Sequence, residues 1–138
     1  MSLNISKRAM LNAIGASVFG LAVMTATLAH AGEARPFTQQ AFSESQAQGK
    51  HIVIDVYASW CPTCRKQQPV LTALQKDPAF KDLVVYQLKF DSQKAELRSL
   101  GAQKQSTLIV FRGKKETARS VGDTNPASIR ALISTPAQ

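Results

Sequence analysis

The chain holds two cysteines, and both lie in one tetrapeptide, Cys61-Pro62-Thr63-Cys64. A disulfide scaffold joins distant segments. A bridge across two intervening residues closes too small a loop to restrain much of the unfolded chain. The pair therefore suits redox chemistry better than stapling. Before it runs His51-Ile52-Val53-Ile54-Asp55-Val56-Tyr57, β-branched, aromatic and almost continuously apolar, which reads as a strand buried on both faces. After it, Val70, Leu71 and Leu74 keep helical spacing to about Lys76. Cys61 thus falls at a helix start, where free N–H groups and the positive end of the helix dipole favour a thiolate. Pro62 suits the first turn, because its missing N–H would have no partner there. A spacing of three puts the Cys64 sulfur on the same face, within bonding reach. The chemistry this predicts is thiol–disulfide exchange, in which Cys61 attacks a disulfide and Cys64 resolves the mixed disulfide. Arg65 and Lys66 add positive charge, screened by solvent and salt.

Other uses of two cysteines fare worse. Haem attachment needs His directly after the second Cys, and residue 65 is Arg. A zinc site needs two more ligands, and His51 is the one histidine beyond residue 31. No metal and no cofactor is expected. A metal or iron–sulfur centre shared by Cys61 and Cys64 of two chains is the open alternative.

The elements that must position the pair follow from the rest of the pattern. Arg35 to Phe37 reads as a short strand. Thr38 to Gln48 reads as a helix, with Thr38 as N-cap and Gly49 as stop. The helix that begins at Pro62 contains Pro69, which predicts a kink. Leu83 to Phe90 reads as a strand, and Gln93 to Leu100 as a helix stopped by Gly101. Thr107 to Phe111 and Glu116 to Val121 read as strands joined by a turn at Arg112-Gly113-Lys114. Thr124 or Asn125 can cap a last helix that has Pro126 at its first position and Ile129, Leu132 and Ile133 inward. Alternation at the front implies parallel pairing through helical crossovers, and the closing hairpin implies antiparallel strands. The expected fold class is α/β, a mixed central sheet flanked by helices.

The 138 residues suffice for one domain. Lys7 and Arg8 precede an uncharged run from Ala9 to Leu28, and Ala29-His30-Ala31 follows with small residues at its first and third positions. That is the layout of a secretory signal peptide cleaved after Ala31. An uncleaved membrane anchor is the alternative, since the run is long enough to span a bilayer. The expected organisation is therefore a signal peptide at 1–31, a domain at 32–138 and a periplasmic location. Without the two basic residues of the leader, 15 Lys and Arg face 9 Asp and Glu, a balance of +6. The basic residues are scattered, which fits solubility and steering and argues against a nucleic-acid partner.

At the residues around the cysteines the chain resembles the thioredoxin family. The stretch from Val53 to Cys64 carries the family's strand, its Trp before the first Cys and the two Cys. Pro69 matches the family's helix proline, and Thr107 to Phe111, Gly113 and Val121-Gly122 match its closing hairpin. The resemblance spans nearly all of residues 35–134. It implies the thioredoxin fold and an exchange enzyme acting on protein thiols and disulfides. Trp-Cys-Pro-Thr-Cys is similar to the periplasmic reductases of cytochrome c maturation. Tyr57-Ala58 with Trp60 is similar to the periplasmic domain of the transmembrane disulfide reductase that feeds them. A membrane electron donor of that type and a monomeric state are implied. Asp55 falls on the family's buried acid, which implies that it takes the Cys64 proton through water. Substrate contacts are implied for Trp60, Pro62, Thr63, Ser106 and Thr107.

Two departures stand out. Ser106 occupies the place of the family's cis-proline, and a cis peptide before a non-proline residue costs about 2.5–4 kcal/mol. A trans or distorted geometry is expected there. Gln87 replaces the Lys that normally pairs with the buried acid, which makes Asp55 harder to ionise. Three functions follow: a disulfide reductase, a thiol oxidant, and a non-catalytic binding module that keeps the fold. The larger oxidases of the family insert a helical domain for which this chain has no room, which favours reduction.

Overall fold

The computed structural model describes residues 32–138. The expected leader, residues 1–31, and its cleavage site lie outside the described residues. From Arg35 onward strands and helices alternate: β1 (Arg35–Pro36), α1 (Gln39–Ala47), β2 (His51–Tyr57), α2 (Pro62–Lys76), β3 (Leu83–Lys89), α3 (Lys94–Ser99), β4 (Thr107–Arg112), β5 (Lys115–Val121) and α4 (Pro126–Ile133). The sheet order is β1-β3-β2-β4-β5. The first three strands in the chain pair in parallel, and β4 and β5 add antiparallel. This is the expected mixed sheet and the thioredoxin fold.

Capping residues set the helix ends. The Thr38 hydroxyl accepts the Ala41 N–H at 3.1 Å at the start of α1. Of the two candidates for α4, Asn125 is the cap, accepting from the Ser128 N–H at 3.0 Å. The closing hairpin turns on Gly113-Lys114, with Gly113 at φ +56°, a conformation that costs glycine nothing. Two local features differ from expectation. A 3-10 turn at Pro78–Phe80 follows α2 and buries Phe80, and a register shift between Val110 and Phe111 bends β4 against β5. Strand alternation predicts neither, since both are tertiary accommodations.

Helices cover both faces of the sheet, and β2 sorts its side chains between them with period two. Ile52, Ile54 and Val56 face a core with Phe42 of α1, Leu97 of α3, Tyr86 and Phe111. Val53 faces the opposite core with Leu71 and Leu74 of α2 and Ile129 and Ile133 of α4. Asp55 shares the parity of Val53, so the alternation delivers a carboxyl group beneath α2. His51 sits at the other end of β2 from the cysteines, buried, with Nε2 bonded to the Ile133 carbonyl at 2.9 Å. Among the described residues no helix is long and apolar enough to cross a membrane.

Candidate active site

The turn after β2 buries Ala58, and the Cys61 N–H bonds back to the Ala58 carbonyl at 3.1 Å. Cys61 is itself the N-cap of α2: it has extended backbone angles, and its sulfur accepts the Cys64 N–H at 3.1 Å. A thiolate in that position satisfies one of the helix's orphan donors, a charge-assisted version of an ordinary cap. Both thiols are unbridged and occluded, Cys61 near the surface and Cys64 deeper.

Burial alone would push the Cys61 thiol up. Hydrogen bonds from the Cys64 thiol, the Ser106 hydroxyl and the backbone N–H groups of Cys64 and Thr63 outweigh it and hold Cys61 below the ordinary thiol value. Cys64 is pushed the other way, first by burial and then because its proton is shared with Cys61. The pair is therefore split into one acidic and one basic sulfur. That asymmetry separates an attacking thiolate from a resolving thiol that must be deprotonated later.

Asp55 lies one layer below. Its Oδ2 accepts from Gln68 Nε2 at 2.7 Å, and Gln87, its register partner on β3, stands behind, donating to Gln68 Oε1 at 3.4 Å. Among the described residues no group hydrogen-bonds Oδ1. Burial raises Asp55 from 3.8 to about 6, and the Gln68 and Gln87 amides only partly oppose this. Gln68 is four residues beyond Cys64 on α2, so the residue that holds Asp55 lies one helical turn along from the resolving cysteine. Asp55 thus combines a titration point near neutrality with an oxygen that no described group engages, beneath the helix that carries Cys64.

Ser106 touches both sulfurs. Its Oγ stands 3.1 Å from Cys61 Sγ and 3.2 Å from Cys64 Sγ. Its backbone takes φ +61°, alone among the described non-glycine residues. It lies in the left-handed region, which costs a non-glycine residue about 1–3 kcal/mol. The Ser106 N–H donates to the Val56 carbonyl at 2.8 Å, a bond that proline could not make. Thr107 is buried, and its hydroxyl donates to the Lys104 carbonyl at 2.7 Å, so it braces the loop from within. Trp60 is 54% exposed. Its Nε1 donates to Asp91 at 3.0 Å and its ring meets Phe90 edge-on at 6.4 Å, so the indole is a fixed flat platform beside the cysteines. Pro62, exposed, and Thr63, half-buried, form the first turn of α2 between the sulfurs.

Sequence reasoning did not single out Gln67, Gln68 or Asp91. Gln67 is fully buried, and its amide donates to the Ser106 carbonyl at 3.2 Å and the Asp123 carbonyl at 2.7 Å. The signal was available: positions three and four after Cys64 face the core, and polar residues there need buried partners. No group of three or more His, Cys, Asp or Glu converges on one point among the described residues.

Comparison with known proteins agrees with this geometry. A family model described as Thioredoxin matches residues 33–135. The chain is 33% identical over 97 residues to a thioredoxin of Chlamydia muridarum, covering 70% of this chain and 92% of that one. It is 36% identical over 87 residues to the thiol:disulfide interchange protein CycY of Rhizobium leguminosarum, covering 59% of this chain and 46% of the relative. The crystal structure of Trxlp from Edwardsiella tarda superposes with a TM-score of 0.71 at 40% identity, covering 73% of this chain and 98% of that one.

Proposed function

This chain belongs to the thioredoxin family and is a thiol–disulfide oxidoreductase, and from that premise we propose that it is an exported reductase of protein disulfides. The observation that carries the exchange chemistry is the split pair: Cys61 held acidic as the cap of α2, and Cys64 buried and held basic. The Cys61 thiolate attacks one sulfur of a substrate disulfide, forming the mixed disulfide and releasing the other sulfur as a thiolate. Cys64 loses its proton to Asp55 and attacks Cys61 Sγ. The internal disulfide forms, the second substrate thiolate leaves, and two electrons have passed to the substrate. Trp60 and Pro62, with the half-buried Thr63 between the sulfurs, offer the surface against which the substrate chain lies.

Three observations support the finer assignment. The Lys7-Arg8 start, the uncharged run and Ala29-His30-Ala31 favour export to the periplasm. Only the Pro78–Phe80 turn and a short loop join α2 to β3, with no helical insertion of the kind the family's larger oxidases carry. The likeness to the thiol:disulfide interchange protein CycY favours exchange with protein disulfides, and the Trp-Cys-Pro-Thr-Cys block favours relay of electrons from a membrane donor to disulfides of apocytochrome c. The protein acts as a monomer. The test is the reduction potential together with insulin-disulfide reduction. A value nearer thioredoxin's ~−270 mV than the ~−120 mV of a strong oxidant, with turnover lost in Cys61→Ser, supports the reading. A potential at the oxidant end would make the protein a thiol oxidase. Turnover no faster than that of Cys61→Ser would leave a binding module.

A further inference from the structure

Both thiols share a neighbour that can answer to either of them. We propose that the Ser106 hydroxyl is a third catalytic group, a rotatable donor that bonds whichever of Cys61 and Cys64 carries the negative charge. The inference rests on the exchange reading above.

The argument begins with placement. Ser106 is 4% exposed, so water competes little for its hydroxyl. Its backbone is anchored at both ends. The N–H goes to Val56 at the end of β2, and the carbonyl takes the Gln67 amide and the Gly122 N–H at 2.9 Å. These three bonds hold a conformation that serine rarely adopts. Strain held this firmly beside reacting atoms is a feature to be explained by function. What it achieves is visible: one oxygen stands 3.1 and 3.2 Å from two sulfurs.

A hydroxyl has one proton to give and lone pairs to receive. In the dithiol state it donates to the Cys61 thiolate, alongside the Cys64 S–H. Once Cys61 is tied up in the mixed disulfide it carries no charge. Cys64 then passes its proton to the base and becomes the anion, and the same hydroxyl turns to donate to it. Neither bonding state moves an atom of the backbone. In the finished disulfide both sulfurs are neutral and weak acceptors, so the donor loses its strong partner. Ser106 therefore favours the dithiol form over the disulfide form. A proline at this position, with no side-chain donor, could do none of this.

The test compares Ser106→Ala and Ser106→Gly. Both remove the hydroxyl, but glycine adopts φ +61° without strain, so the pair separates the hydroxyl from the backbone. Each reduced protein is titrated by iodoacetamide alkylation of Cys61 against pH, and each is equilibrated with glutathione buffers to obtain the dithiol–disulfide ratio. Both variants are expected to raise the Cys61 titration point by about one pH unit. Both are expected to shift the equilibrium toward the disulfide by about tenfold, which is about 30 mV more reducing. Release of the second substrate thiol from a preformed mixed disulfide should slow in both. An acidic wild-type Cys61 left unchanged in both variants would overturn this inference alone. A shift in the alanine variant but not the glycine variant would also overturn it, since the backbone would then be responsible. A wild-type Cys61 that ionises like a free thiol would overturn the exchange reading and this inference together.

Discussion

Replacing Asp55 with asparagine should make the protein more stable at neutral pH and no more stable in acid. The folded state raises this carboxyl from 3.8 to about 6, a gap of about two pH units. At about 1.4 kcal/mol per unit, ionised Asp55 costs the folded protein about 3 kcal/mol. Asp55 is fully buried, so solvent screening does not reduce the figure much. The sign follows from proton binding. Below about pH 3 both folded and unfolded chains hold the proton, and the site costs nothing. Between about 4 and 6 the unfolded chain gives it up first, and stability falls as pH rises. Above 6 the full cost is present. Asparagine fits the same space and never ionises. Urea denaturation of both proteins at pH 4, 5, 6 and 7.5 gives the difference directly, and other carboxylates cancel in it. The variant should come closest to wild type at pH 4 and exceed it by about 3 kcal/mol at pH 7.5. A difference that does not vary with pH, or wild type the more stable at 7.5, would refute the claim that Asp55 is a buried, high-titrating acid.

Three further outcomes follow from the site. Gln68→Leu removes the shortest hydrogen bond to the carboxylate, so the Asp55 carboxyl resonance in carbon NMR should titrate above its wild-type point; an unchanged midpoint would mean that the amide does not hold the charge. Cys64→Ala should accumulate a mixed disulfide at Cys61 with substrate, visible as a mass adduct that dithiothreitol removes, while Cys61→Ser should accumulate none. Trp60→Ala, at a half-exposed position, should change stability by no more than about 1 kcal/mol while raising the KM for a protein disulfide. Loss of kcat with KM unchanged would show that the indole acts on the chemistry and not on docking.

The fold was legible because each signal in it is local and repeated. The continuous apolar run at His51–Tyr57 required a central strand, helical spacing and capping residues marked α1, α2 and α4, and Gly113 marked the hairpin. Helix-start placement of Cys61 followed from Pro62 and the strand before it. Side-chain partnerships were less legible. Gln87 drew attention as a missing lysine, yet the closer partner of Asp55 is Gln68, which reaches it across the α2–sheet interface. That contact depends on the parity of β2 and the rotation of α2 together, and no one-dimensional pattern carries both. The conformation of Ser106 is the plainest case. A serine before a buried strand does not announce a positive φ. It arises because Val56, Gln67 and Gly122, from three separate segments, bind its two backbone polar groups at once. Its contact with both sulfurs is a consequence of that three-way closure.

The central claim is that the two sulfurs are unlike: one ionised at the cap of α2, one held protonated behind it. Peptide-resolved alkylation of the reduced protein by iodoacetamide, followed by mass spectrometry across pH 5 to 10, measures both at once. The account predicts that Cys61 reacts with a midpoint below the ~8.5 of free cysteine and that Cys64 labels only at higher pH than Cys61 does. Two cysteines that label together, with a common midpoint near that of the free amino acid, would contradict it.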